Sequence, residues 1–202
     1  MEERQPENPA SGIHPPEWDA TQSRILDAAD ALLQRRGVHG VTIAELARRS
    51  ALSRPTIYRS WTDADDVVRS ALLRRVADIL ADLPAPPPTR AALVDAVLSF
   101  IASFRADAVY ARLLADEPES FTRYTLQRVG QSQRMILRWL SSAIAAAQDT
   151  GGIRPGVPEE MAVMLLLLAQ SAVLSHGTVA HIIDEAAWER ELRAAVDGHL
   201  RP

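Results

Sequence analysis

The chain has 202 residues, 47% hydrophobic and 24% charged, which is enough apolar material for one large core or a small domain beside a larger one and too much for a disordered protein. It contains no cysteine, which excludes disulfides, thiolate metal sites and cysteine nucleophiles and fits a reducing cytoplasm. The formal net charge of -4 argues against nucleic acid on average, yet from Gln22 to Trp61 seven arginines stand against Asp27, Asp30 and Glu45, so that a basic segment sits on an acidic remainder.

Residues 1–18 hold Pro6, Pro9, Pro15 and Pro16 among Glu2, Glu3, Glu7 and Glu17, and a disordered tail is predicted there. No positive segment followed by an apolar run occurs in it, so no signal peptide is expected. Asp19 and Gln22 have capping-box spacing, and Ile25, Ala29, Leu32 and Leu33 recur at helical spacing up to Arg35, Arg36 and Gly37, which predicts a first helix.

The stretch T-I-A-E-L-A-R-R-S-A-L-S-R-P-T-I-Y-R-S-W, Thr42 to Trp61, reads as two short helices and a tight turn. Thr42 and Glu45 form a capping box, with Ile43, Leu46 and Ala47 inward. Ser50, Ala51 and Leu52 break the period, and Ser53 caps a second helix whose first turn tolerates Pro55. At about 100° per residue, Ile57 and Trp61 share the inner face while Pro55 and Arg59 point outward beside Arg54, Thr56 and Tyr58. Hydroxyls and a phenol suit phosphate oxygens, and arginines fork onto guanine O6 and N7. The expected DNA contacts are Thr42, Arg48, Ser53, Arg54, Pro55, Thr56, Tyr58 and Arg59.

Thr62 and Asp65 predict the cap of a helix running through Val67, Val68, Leu72, Val76, Ile79 and Leu80 to Leu83, ended by Pro84, Pro86, Pro87 and Pro88. Thr89 begins another, with Leu93, Val97, Phe100, Ile101 and Phe104 inward, and a shorter one covers Asp107 to Ala115 with Tyr110, Leu113 and Leu114. From Ser120 to about Gln148 a single long helix is predicted. One stripe, Leu126, Val129, Ile136, Leu140 and Ile144, is plain core. The other, Phe121, Tyr124, Arg128, Met135 and Trp139, reads either as core or as the wall of a ligand cavity. Arg128 would there meet an anionic ligand group, or else face solvent or pair with Glu117 or Glu119. With Phe104, Tyr110, Met164 and His176, these residues make up the candidate ligand set.

Thr150, Gly151 and Gly152 interrupt the chain, and Pro158, Glu159 and Glu160 open the next helix. The apolar run Met161 to Ala169, extended by Ala172, Val173 and Leu174, is expected to be too short and interrupted for a membrane span. It is apolar all round, so it needs a cover. A last helix over about 185–200 offers Trp188, Leu192, Ala195 and Val196, and two such pairs predict a four-helix seam between two copies, a homodimer. Among His14, His39, His176, His181 and His199 no pair has metal-ligand spacing on a helix. There is no P-loop, G-x-G-x-x-G or G-x-S-x-G, so no enzyme, metal or cofactor is expected.

The Thr42–Trp61 stretch, with the acidic start D-A-D-D-V after it, resembles the TetR family of dimeric, ligand-controlled repressors. The resemblance covers roughly 21–73, and Thr56-Ile57-Tyr58 is its most characteristic piece. Ala51 stands where the family usually has a turn glycine, Trp61 where it has phenylalanine, and Ala64 where it has lysine. The resemblance implies an all-α fold, with a three-helix helix-turn-helix domain at 19–66 and a larger ligand-binding and dimerisation domain at 67–202. It further implies a cytoplasmic repressor that binds a near-palindromic operator in double-stranded DNA as a dimer. A small-molecule inducer would move the Thr62–Leu83 helix and release it. The alternative is a constitutive DNA-binding dimer with no inducer, favoured by a fully packed C-terminal core.

Overall fold

The computed structural model describes residues 16–83, 89–125 and 129–202. The predicted tail, apart from 16–18, the proline run Pro84 to Pro88, and the Leu126 and Arg128 assignments lie outside the described residues. The secondary structure is helical, as expected, and no strand occurs among the described residues. The helices are α1 (Ala20–Arg36), α2 (Ile43–Ser50), α3 (Arg54–Tyr58), α4 (Ala64–Ala81), α5 (Arg90–Ala106), α6 (Ala108–Asp116), α7 (Pro118–Thr125), α8 (Gln131–Asp149), α9 (Pro158–Val179) and α10 (Glu185–Leu200), with a 3-10 turn at Val38–Gly40.

Local signals set most helix starts. Asp19 and Gln22 close a complete capping box, the carboxylate accepting from the Gln22 N–H at 2.8 Å and the Gln22 amide oxygen from the Asp19 N–H at 3.0 Å. Thr42 and Ser53 accept from Glu45 and Thr56 as expected, each at 3.2 Å. The box at Thr42 is only half formed, because the Glu45 carboxylate turns to Arg48 instead of reaching back. The cap of α4 is Asp63 rather than Thr62. The Asp63 carboxylate takes the Asp66 N–H at 2.7 Å, and Asp66 reaches back to the Thr62 N–H at 3.2 Å, one residue out of the predicted register. The boundary expected at residue 66 therefore falls inside the first turn of α4.

The helix predicted from Ser120 to Gln148 is two helices. Val129 and Gly130 are non-helical, and α8 starts afresh at Gln131 with the Gly130 N–H held by Gln133 Oε1 at 2.9 Å. Val129, assigned to the core from its spacing, is exposed because the break removes it from the stripe.

The described chain forms two compact units. One comprises Pro16–Leu83 with Ser99–Arg134, and the other comprises 89–98 with 135–202. In the first, α1 packs against α2, α4 and α6, and Ile25, Leu26, Leu32 and Leu33 are buried. Phe104 stacks on Tyr110 with ring centroids 3.9 Å apart and meets Phe121 edge-on at 6.4 Å. The Tyr110 hydroxyl donates to the Leu72 carbonyl on α4 at 2.9 Å, and burial pushes its phenol well above the ordinary range.

In the second unit, α9 packs on α10, and Ile144, Leu165 and Leu200 are fully buried. Arg154 closes the end of α10, its N–H donating to the Leu200 carbonyl and its Nε to the His199 carbonyl at 2.7 Å. The expectation that the apolar run is too short to span a membrane does not hold by length. The continuous α9 has 22 residues and a window of mean hydropathy 1.6, because Gln170 and Ser171 do not interrupt the helix. Its Met161, Ala162, Leu165, Leu166, Ala169, Ala172 and Val173 are buried, while Val163, Met164, Leu167 and Leu174 form an exposed apolar stripe. One face thus packs within the unit, and the other has no cover among the described residues.

Candidate nucleic-acid interface

α2 and α3 are held from beneath by Leu46 and Ile57, both fully buried, and by Trp61, whose indole N–H donates to Ser70 Oγ at 2.8 Å. That indole bond ties the end of the motif to α4. The turn between α2 and α3 places Ala51 in the left-handed region at φ 53. A glycine would relieve roughly 1 kcal/mol there, the cost of keeping a Cβ in that conformation. The last carbonyl of α2, on Ser50, accepts from Arg24 Nη2 at 2.7 Å. Arg24 therefore has a bracing role on the motif that sequence spacing did not reveal, since the partners are 26 residues apart.

With its inner face fixed, the motif presents Arg54, Pro55, Tyr58 and Arg59 outward, with Thr56 half-buried, and Ser53 and Thr42 open at the two helix starts. Tyr58 is 55% exposed, so its phenol is open to a partner. Ser53 Oγ and Thr56 Oγ1 lie 2.8 Å apart, so these two hydroxyls form one polar spot at the start of α3. Arg48 is committed differently. It holds Glu45 at 2.6 Å, and Arg36 approaches the same carboxylate at 3.6 Å. The hydrogen bond from Arg48 holds the Glu45 carboxyl below the usual carboxylate range, and that bond likewise raises the Arg48 guanidinium. Arg48 can reach a phosphate only by sharing itself with Glu45, whereas Arg54 and Arg59 form no ion pair among the described residues.

The described candidate ligand residues are divided between the two units. Phe104, Tyr110 and Phe121 are packed on one another in the first unit. Tyr124, half-buried on α7, donates its hydroxyl to Asp65 Oδ1 on α4 at 2.9 Å; burial and that contact push the phenol upward. Met135 and Trp139 are buried in the second unit, and Met164 lies on the exposed stripe of α9. His176 faces Glu185 at 2.7 Å and the edge of Trp188, so its ring is engaged by α10 rather than by the core. Within the first unit lies a polar cleft of about 670 Å³ whose walls include Asp65, Arg69, Ser70, Arg123, Tyr124 and Arg134. Among the described residues no cluster of His, Asp or Glu has the grouping a metal ion needs.

Three comparisons bear on this geometry. Residues 25–71, which contain the whole α2–α3 motif, match the model of bacterial regulatory proteins of the tetR family. The chain is 36% identical over 180 residues to an HTH-type transcriptional regulator of Mycobacterium tuberculosis (strain H37Rv), covering 89% of this chain and 94% of that protein. Two solved structures share the fold. The transcriptional regulator FadR from Bacillus subtilis in complex with stearoyl-CoA has a TM-score of 0.56 at 14% identity, covering 89% of this chain and 99% of the other. A transcriptional regulator from Saccharomonospora viridis in complex with choline has a TM-score of 0.57 at 20% identity, covering 90% and 97%.

Proposed function

We propose that this chain, which belongs to the TetR family of bacterial transcriptional regulators, is a cytoplasmic repressor that binds a near-palindromic operator as a homodimer and is released by a small molecule. The observation that carries the reading is the outward face of α2–α3. Arg54, Tyr58 and Arg59 are exposed and clear of the buried anchors Leu46, Ile57 and Trp61, so a rigid, polar, basic surface is available to a major groove. Residues 19–66 supply the DNA-binding part and residues 67–202 the remainder. The uncovered stripe of α9 supports a seam formed with a second copy, which would bring two such faces to one duplex.

Two observations support control by a ligand. The complexes with stearoyl-CoA and choline are those of proteins with the same fold, and the polar cleft is walled in part by α4, the helix tied to the motif through Trp61 and Ser70. Phe104, Tyr110 and Phe121 pack on one another, which favours the cleft and polar ligands. The rival without an inducer is favoured by that same close packing of Phe104, Tyr110 and Phe121. A thermal-shift screen of the full-length protein against fatty acyl thioesters, carboxylates and quaternary amines separates the two, since a ligand that stabilises the protein and weakens operator binding excludes the rival.

Operator duplexes recovered by selection from random DNA provide the direct test. Arg59→Ala is expected to weaken operator binding by about 1–3 kcal/mol and to relax preference at one position per half-site, as the loss of a bidentate base contact requires. Tyr58→Phe is expected to weaken all duplexes alike, as the loss of a phosphate contact requires. Fluorescence anisotropy on the selected duplex and on single-base variants gives both answers. If neither variant changes binding, the assignment of this face to DNA is wrong.

A further inference from the structure

Glu117 lies between α6 and α7 and has no part in the DNA face, yet its carboxylate reaches back 79 residues. Oε1 and Oε2 both accept the Val38 N–H, at 3.1 and 3.2 Å. Val38 is the buried first residue of the 3-10 turn that follows α1, and an amide at that position has no carbonyl of its own segment to meet. The carboxylate fills that vacancy with a charge-assisted bond. Its side chain is only 12% exposed, and the imidazole of His39, itself open to solvent, stands 4.0 Å away.

The approach depends on Gly37. Its φ of +67 is one that glycine adopts freely, and a Cβ built there would lie 1.4 Å from Glu117 Oε1. The other end is equally constrained. The Glu117 N–H donates to the Leu113 carbonyl at 3.1 Å, its carbonyl accepts the Phe121 N–H at 2.9 Å, and Pro118 follows at once. The carboxylate is thus carried on a rigid joint between two helices. On the receiving side, the turn leads directly to Thr42, the cap of α2.

We infer that Glu117 is a positioning residue for DNA binding, which fixes the α2–α3 motif on the α6–α7 joint through the Gly37–Val38 turn and so sets the half-site spacing that the dimer accepts. This rests on the DNA-binding dimer proposed above. A shift of the α6–α7 joint breaks the bond to Val38 and frees the angle of the motif, whereas the groups facing DNA remain intact.

The test uses full-length Glu117→Ala and Glu117→Gln, the second retaining shape and one acceptor oxygen should the first fold poorly. In the DNA-free protein, amide exchange at Val38 is expected to be roughly 100-fold faster in Glu117→Ala and intermediate in Glu117→Gln, with Leu32 and Leu33 in α1 unchanged. On synthetic duplexes with the selected spacing and with one base pair more or fewer, discrimination is expected to fall about fivefold or more, while affinity for a single half-site stays at the parent value. Unchanged Val38 exchange overturns the inference, as does retained spacing discrimination. An equal loss on half-site and full operator also overturns it, by showing a contact or folding defect. A parent protein that binds none of the duplexes overturns the DNA reading itself, and Val38 exchange then still reports whether the joint exists.

Discussion

Asp30→Ala will destabilise the protein by about 3 kcal/mol, because two poorly hydrated guanidinium groups share that one carboxylate. Arg75 Nε meets Asp30 Oδ1 at 3.0 Å, and Arg74 meets the other oxygen. Their side chains are only 17% and 14% exposed for Arg74 and Arg75. Burial disfavours the Arg74 cation, but its bonds to Asp30 and then Asp27 outweigh this and raise its pKa. Removing the carboxylate leaves Arg74 with Asp27, which is largely exposed, and Arg75 with Asp107. Those remaining partners keep the cost at the lower end of what breaking a buried pair entails. Since Asp30 joins α1 to α4, and Arg75 continues to the cap of α6, the loss should appear as a lower midpoint in urea with an unchanged slope. Asp30→Asn, which keeps an acceptor, should lose about half as much. A shift below about 0.5 kcal/mol for Asp30→Ala would mean that these arginines are well hydrated in solution.

Leu167→Glu is expected to convert a dimer into a folded monomer. Leu167 is 51% exposed on the free face of α9, so the substitution leaves the chain's own core untouched. In a two-copy seam it would bury a carboxylate without a partner on each side, at a cost of several kcal/mol, which is roughly 100-fold or more in the dimer dissociation constant. The neighbouring Leu166 faces the interior, and the same change there would instead unfold the unit. Sedimentation of both variants beside the parent distinguishes the two sides of the helix. A parent that is itself monomeric at micromolar concentration contradicts the seam and, with it, the palindromic operator.

What could be read from the sequence was what short-range chemistry decides. The caps at Asp19, Thr42 and Ser53, the inner position of Ile57 and Trp61, and the outward position of Arg59 depend on neighbours three or four residues away. The one-residue slip at α4 is of the same kind, since the Asp63 carboxylate takes the Asp66 N–H and Asp66 returns to the Thr62 N–H, all within four residues. Gly130 was a visible warning that the long helix would break, but the apolar stripes on either side of it are so regular that periodicity outweighed it.

The mutual packing of Phe104, Tyr110 and Phe121 was not legible, because whether aromatics line a space or fill one another is decided by tertiary packing. Tyr110 spends its face on Phe104 and its hydroxyl on Leu72, 38 residues away. Arg24 on Ser50 and Glu117 on Val38 are bonds between distant segments that no spacing rule announces.

The central claim is that the α2–α3 face reads a DNA sequence, and competition anisotropy measures this most directly. The parent protein is titrated with its selected duplex and, at the same near-physiological salt, with a duplex of the same composition in shuffled order. The selected duplex is expected to bind about 1,000-fold more tightly or better, with both affinities falling as salt rises. Equal affinity for the two duplexes at every salt concentration would contradict it.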